Sequence, residues 1–300
     1  MKARRPRARE LTRASLRRMP LPALAPDDDK ESRGRVLIVG GSVLVPGAIL
    51  LAGVAALRAG AGKLQLATAR RAAVGLGLAV PESLVLPLAE NRAGEIAGAR
   101  AAAALRKYAP DADAILVGPG MATVPSVAAL LASIVPMVSD DATLVLDGAG
   151  VVALSAARRR LISRRLPMVL TPHAGEMAGL LGIDKREVEE NPASIALRAA
   201  EEFNAVVALK GAESWIAHPD GTLLHYRGGS VGLGTSGSGD TLAGIVTGLA
   251  ARGATPLAAA AWGVWAHGAA GRILARRVAA VGFLARELLA EVPALVASRR

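Results

Sequence analysis

Short unbroken apolar runs alternate along the chain with longer stretches in which alanine and leucine recur at helical spacing. Such runs read as strands buried on both faces, and the longer stretches as the helices that cover them. Strands are predicted over residues 35–40, 63–68, 83–86, 114–117, 143–146, 168–170 and 206–209. Helices are predicted over 46–58, 93–107, 125–134, 150–157, 175–181, 192–203, 240–251, 256–275 and 282–291. Pro46 suits the first turn of its helix. Segments 214–217 and 222–226 form a hairpin turned at Pro219-Asp220-Gly221. Strand, glycine turn, helix and strand over 35–68 make a βαβ unit. Its repetition predicts an α/β fold with a mainly parallel sheet covered on both faces.

The strands end in a consistent way. Gly40-Gly41-Ser42, Gly118-Pro119-Gly120, Asp147-Gly148, Thr171-Pro172-His173 and Lys210-Gly211 each close one. In open α/β sheets ligands bind beyond the carboxyl ends of the strands, so these turns are expected to line one cleft. Gly40-Gly41-Ser42 lacks the full spacing of a dinucleotide fingerprint and reads first as a tight turn. Asp147 reads as a helix cap or as a metal ligand through water, with the cap favoured. His173 and Glu176 bring two titratable groups to one strand-to-helix turn, where a structural and a functional role stay open. Lys210 offers a cation to a phosphate.

One stretch stands out, Gly232-Leu233-Gly234-Thr235-Ser236-Gly237-Ser238-Gly239-Asp240, followed at once by an apolar run. A glycine-rich loop feeding a helix presents unpaired N–H groups that attract anions. A carboxylate beside such a cradle repels the ligand unless it has a task. Asp240 is a cap or a catalytic base, and the loop alone does not decide.

Composition removes several classes. The chain has 300 residues, 52% of them hydrophobic, and no cysteine, so disulfides, thiolate metal sites and a cysteine nucleophile are excluded. The four histidines are unpaired at metal-ligand spacing, and no direct protein metal ligand is assigned. His218, His225 and His267 read as ordinary. The net charge of +11 is concentrated at the start, where Lys2, Arg4, Arg5, Arg7, Arg9, Arg13, Arg17 and Arg18 face Glu10 alone. Residues 1–33 are expected to be a basic, disordered arm and a proline-rich linker, with 34–300 as the folded domain. No aromatic interleaving accompanies the arm, so no specific nucleic-acid partner is expected. The apolar tract 241–271 is broken by Arg252, Pro256 and His267, so it reads as buried helices and not a membrane span. A cytoplasmic location is expected.

With these turns in order, the chain resembles the ADP-dependent NAD(P)H-hydrate dehydratases of the ribokinase-like superfamily. The resemblance rests on the GGS turn with its following helix, Pro81-Glu82, VGPG, LVLDG, LTPHAGE, VALKGAES, GTSGSGDTLAG and AAWGVWAHGAAGRI, and covers residues 34–293. It implies a three-layer sandwich and a defined reaction. The 6-hydroxyl of S-configured hydrated NADH or NADPH is phosphorylated by ADP with Mg²⁺. Phosphate then leaves to restore the nicotinamide double bond, and AMP is the by-product. It implies Asp240 as base, and Ala48, Gly120, His173 and Asp240 as contacts to the hydrated cofactor. It implies Lys210, Gly211, Ala212, Glu213, Ser214, Gly237, Ser238 and Gly239 as the adenine-nucleotide site. It further implies a homo-oligomer, a tetramer, and an epimerase acting alongside.

The chain departs from the family pattern at Val45, where a tyrosine is usual, and from Gly148 on, where Asp147-Gly148-Ala149-Gly150-Val151 stands for the usual Asp-Ala-Asp-Ala-Leu and the second acid is lost. It departs also at Met121-Ala122 and at Ser238, which keeps a hydroxyl where threonine is usual. Two other readings share the glycine loop: an ATP-dependent kinase for a small hydroxylated metabolite, and a nucleotide-binding sensor. The kinase does not account for the GGS and TPHAGE segments, and a sensor has no use for Asp240.

Overall fold

The structure is a computed structural model that describes residues 8–23, 25, 27–164 and 166–297. Its strands are β1 (Arg9–Glu10), β2 (Arg35–Val39), β3 (Lys63–Ala69), β4 (Ser83–Leu88), β5 (Ala114–Val117), β6 (Thr143–Leu146), β7 (Met168–Leu170), β8 (Val206–Leu209), β9 (Ser214–Ala217) and β10 (Leu223–Tyr226). Its α-helices are α1 (Arg13–Leu16), α2 (Pro46–Arg58), α3 (Arg70–Ala79), α4 (Ala99–Ala102), α5 (Val124–Ile134), α6 (Ala149–Arg164), α7 (Ala174–Leu181), α8 (Lys185–Glu190), α9 (Pro192–Phe203), α10 (Ser238–Ala251), α11 (Pro256–Arg277) and α12 (Ala285–Val296).

The strands form one ten-stranded sheet in the order β1-β10-β9-β8-β7-β6-β5-β2-β3-β4. All neighbours are parallel except the β9 pairings with β8 and β10. Central strands buried on both faces explain the unbroken apolar runs: β5, β6, β7 and β8 have no exposed residue. One core lies between the sheet and α5, α6, α7 and α9, the other between the sheet and α2, α10 and α11. These are the three layers. Strand order reverses between β5 and β2, so the turns after these strands meet at the switch point, where Gly41 N donates to Pro119 O at 2.7 Å.

Close helix packing positions the glycine loop. A Cβ at Gly244 or Gly248 of α10 would collide with the backbone of Ala52 or Ala56 of α2. These glycines let the two backbones touch, and the start of α10 is thereby fixed beside the start of α2.

Three expectations change. The helix predicted over 93–107 is mostly absent: Glu90 and Ile96 bridge as a small hairpin, and only α4 and a 3₁₀ turn at Ala103–Leu105 follow. Gly94 and Gly98 both take positive φ, which an alanine-rich count does not reveal. Helices α3 and α8 were not predicted. The basic arm, in its described part, packs its leucines on the domain while Arg9, Arg13, Arg17 and Arg18 stay exposed. Strand β1 pairs with β10, Leu11, Leu16 and Leu21 are buried, and Trp262 Nε1 donates to Met19 O at 2.7 Å. Apolar residues spaced between the arginines carry this packing. Lys2, Arg4, Arg5 and Arg7 lie outside the described residues. Among the described residues no helix is long and apolar enough to cross a membrane.

Candidate active site

The site gathers at the carboxyl ends of β6, β7 and β8 and the first turn of α10. Gly237, at φ 86°, precedes α10 and makes no side-chain cap, so Asp240 is the third residue of the helix and not its cap. The cap reading of Asp147 also falls. Its Oδ1 accepts from Lys210 Nζ at 2.8 Å and from Thr171 Oγ1 at 2.7 Å, while only its backbone carbonyl engages α6. Asp147 is 5% exposed, so this carboxylate persists only because it is paired and hydrogen-bonded.

Lys210 is the centre of the cluster. Its backbone N donates to Pro172 O at 2.7 Å, which sets the lysine alongside His173 and Glu176. Its Nζ lies 3.9 Å from a Glu176 oxygen and 3.3 Å from the position a Cβ would take on Gly239. Burial opposes its charge, but Asp147 and Glu176 outweigh that and hold its pKa above the usual value. Burial raises Glu176, with Lys210 opposing and Asp147 assisting. Asp240 is pushed up to about 6, first by burial and then by the Asp147 charge, with Lys210 opposing. Asp240 is therefore mostly ionised at neutral pH yet strongly basic for a carboxylate, as a proton acceptor should be.

His173 caps α7. Its Nδ1 accepts from Gly175 N at 3.0 Å and Glu176 N at 3.2 Å, and Glu176 Oε2 accepts from His173 N at 2.9 Å. The ring remains 59% exposed with its Nε2 3.2 Å from Glu176 Oε1, so both orientation and tautomer are fixed.

The second wall is made by Ala48 and Gly120. A Cβ on Gly120, which sits at φ 65°, would lie 2.9 Å from Ala48 Cβ and 2.7 Å from Val45 O, so this surface is flat backbone. It joins the charged cluster through Gly118, whose Cβ position collides with Asp147 O. Gly237 packs against Leu51, one turn after Ala48.

The segment 210–214 runs from Lys210 into β9. Gly211 and Ala212 are exposed, Ser214 opens β9, and Glu213 Oε2 lies 2.6 Å from His225 Nε2. His225 stacks on Trp215 at 3.7 Å between centroids, so it is built into the hairpin. Ser238 Oγ lies 2.9 Å from His267 Nε2, and burial, with Lys210 second, pushes His267 down to about 4. The imidazole is thus neutral and tied to the glycine loop. Sequence reasoning passed over His267 and the pairing of Asp147 with Lys210 and Thr171. Asp147 and Thr171 do stand at strand ends, which was a usable signal; nothing local marks His267 on its apolar helix.

A glycine loop, a helix N-terminus, a buried lysine and a raised carboxylate thus gather at the carboxyl ends of the strands of a ribokinase-like fold, an arrangement that suits a phosphate. Known proteins narrow this further. A family model described as NAD(P)H-hydrate dehydratase matches residues 36–294. The chain is 55% identical to the ADP-dependent (S)-NAD(P)H-hydrate dehydratase of Xanthomonas campestris, over 97% of each chain. It is 39% identical to the bifunctional NAD(P)H-hydrate repair enzyme of Moorella thermoacetica, over 95% of this chain and 53% of that one. The structure of ADP/ATP-dependent NAD(P)H-hydrate dehydratase from Bacillus subtilis, co-crystallized with ATP and Mg²⁺, superposes with a TM-score of 0.80 at 29% identity, over 96% and 97% of the two chains. The chain belongs to the NAD(P)H-hydrate dehydratase family.

Proposed function

We propose that the chain dehydrates the S-epimer of hydrated NADH or NADPH at the expense of ADP. The observation that carries the reading is Asp240: a carboxylate raised to about 6, in the first turn of a helix whose glycine loop suits a phosphate.

Asp240 accepts the proton of the 6-hydroxyl as that oxygen attacks the β-phosphorus of ADP, and the bond to AMP breaks. The Gly237–Gly239 amides and Lys210 stabilise the charge that develops on the transferred group. Phosphate, a far better leaving group than hydroxide, then departs from C6, and loss of a proton from C5 restores the ring double bond. His173, Ala48 and Gly120 hold the hydrated nicotinamide, while Lys210, Gly211, Ala212, Glu213, Ser214 and Gly239 hold the adenine nucleotide.

Mg²⁺ is expected with the nucleotide. Among the described residues no group of three or more metal-ligating side chains could cage an ion. Asp147 and Glu176 beside Lys210 suit an ion held mainly by phosphates and water, since Mg²⁺ keeps its waters and takes few carboxylates. Bound there, it supplies neutralising charge to the phosphates.

The test is product analysis. S-hydrate with ADP should yield reduced dinucleotide, AMP and phosphate in equal amounts, and the R-epimer should not react. A stable phosphorylated organic product would instead establish a kinase. The bifunctional relatives support an epimerase as functional partner, and we place the reaction in the cytoplasm with the chain acting as a homo-oligomer.

A further inference from the structure

A groove between the start of α2 and the face of α3 is left unused by the chemistry at Asp240. It encloses about 380 Å³ and is lined by Val43, Gly47, Leu50, Arg71, Gly75 and Leu76 among others. Its lining residues Val43 and Pro46 bracket Val45, whose carbonyl lies against the Cβ position of Gly120, so the groove borders the flat wall that Ala48 and Gly120 build. Its floor is apolar, and its rim carries a cation. Arg71 Nε donates to Glu90 Oε1 at 2.5 Å, and Arg71 N donates to Glu90 Oε2 at 3.2 Å, so the exposed guanidinium is anchored on one side and keeps N–H groups to offer. Arg70 beside it is also exposed.

We propose that this groove binds the distal half of the hydrated dinucleotide, its adenosine seated between α2 and α3 and Arg71 the cation for its pyrophosphate. The proposal rests on the dehydratase reading, which places the nicotinamide at Ala48 and Gly120. A dinucleotide so placed puts its second nucleotide within a pyrophosphate's reach of that wall, and the segment 210–214 is already taken by ADP. The groove supplies what the second nucleotide needs. Its volume lies within the roughly 300–1,000 Å³ common for small-molecule sites. Apolar walls suit a base and ribose, and arginine suits a diphosphate. Exposed Leu44, Val74 and Leu78 flank it, so a protein face is the competing occupant.

Gly75 gives a clean probe. It lies inside α3 at an ordinary helical φ, and a Cβ there would meet nothing within 4 Å, so Gly75→Phe fills the groove without disturbing the fold. NADH and reduced nicotinamide mononucleotide are titrated by fluorescence against both proteins, and KM is measured for both hydrates. The wild type should prefer the dinucleotide, and Gly75→Phe should cut that preference by about tenfold or more, because the distal contacts are what the mononucleotide lacks. An unaltered preference, or a wild type with none, overturns the proposal. A changed oligomeric state with an unaltered preference does so too, and assigns the groove to a protein contact. Failure of the wild type to regenerate NADH from its hydrate would defeat the dehydratase reading instead, while the NADH titration would still report on the groove.

Discussion

Lys210 Nζ stands 2.8 Å from Asp147 Oδ1, a buried ion pair at the centre of the cleft. Asp147 raises the pKa of Asp240 and Lys210 lowers it, so the two partners pull the proposed base in opposite directions. Asp147→Asn should move the acid limb of the kcat/KM profile to lower pH, and Lys210→Met should move it higher. A pH–rate profile of each variant reads the direction. Equal shifts of one sign would show that the pair does not govern Asp240. Lys210→Met should also cost stability by about 3 kcal/mol or more, since it leaves buried carboxylates without their cation.

The raised pKa of Asp240 carries a stability consequence with a definite sign. The folded state holds the proton up to about 6, whereas the unfolded chain releases it near the ordinary 3.8. Folding therefore loses stability as pH rises between these values and stays weakened above them, by roughly 3 kcal/mol at 1.36 kcal/mol per unit. Asp240→Asn should abolish turnover yet raise the denaturation midpoint at pH 8, with the gain vanishing near pH 4. Denaturant melts at the two pH values check it.

Much of this was legible beforehand, and the reasons are local. The apolar runs at 36–39, 114–117 and 143–146 admit only buried strands, so the parallel sheet followed from them. Lys210 and His173 were marked by turns at strand ends, where topology puts ligands, and Asp240 by the glycine loop that feeds its helix. The hub role of Asp147 was hidden because it depends on Lys210, 63 residues away in sequence, and only folding joins them. Residues 8–23 were misjudged because charge dominated the count while three buried leucines decided the outcome.

Those leucines make a prediction of their own. Leu16 is fully buried, so Leu16→Ala should cost about 2–5 kcal/mol. Removing residues 1–23 should cost more, with a Tm drop on the order of ten degrees in a thermal melt. An unchanged melt would mean that the segment's packing adds nothing.

The Ser238–His267 contact should behave as one unit. Ser238→Ala and His267→Ala should each lower kcat, and the double variant should fall little further, with a coupling of about 0.5–3 kcal/mol. Full additivity in the cycle would leave His267 as a packing residue. With His267 at about 4, no histidine limb should appear in the profile between pH 5 and 8 from this residue.

The central claim is that Asp240 takes a proton from a hydrated nicotinamide while ADP supplies the phosphoryl group. The direct measurement is recovery of reduced-nicotinamide absorbance from S-hydrated NADH with ADP and Mg²⁺, run beside Asp240→Asn with ADP binding determined for both proteins. The wild type should restore the absorbance and release AMP, and the variant should bind ADP yet restore none. Full recovery by the variant, or none by a folded wild type that binds ADP, would contradict the account.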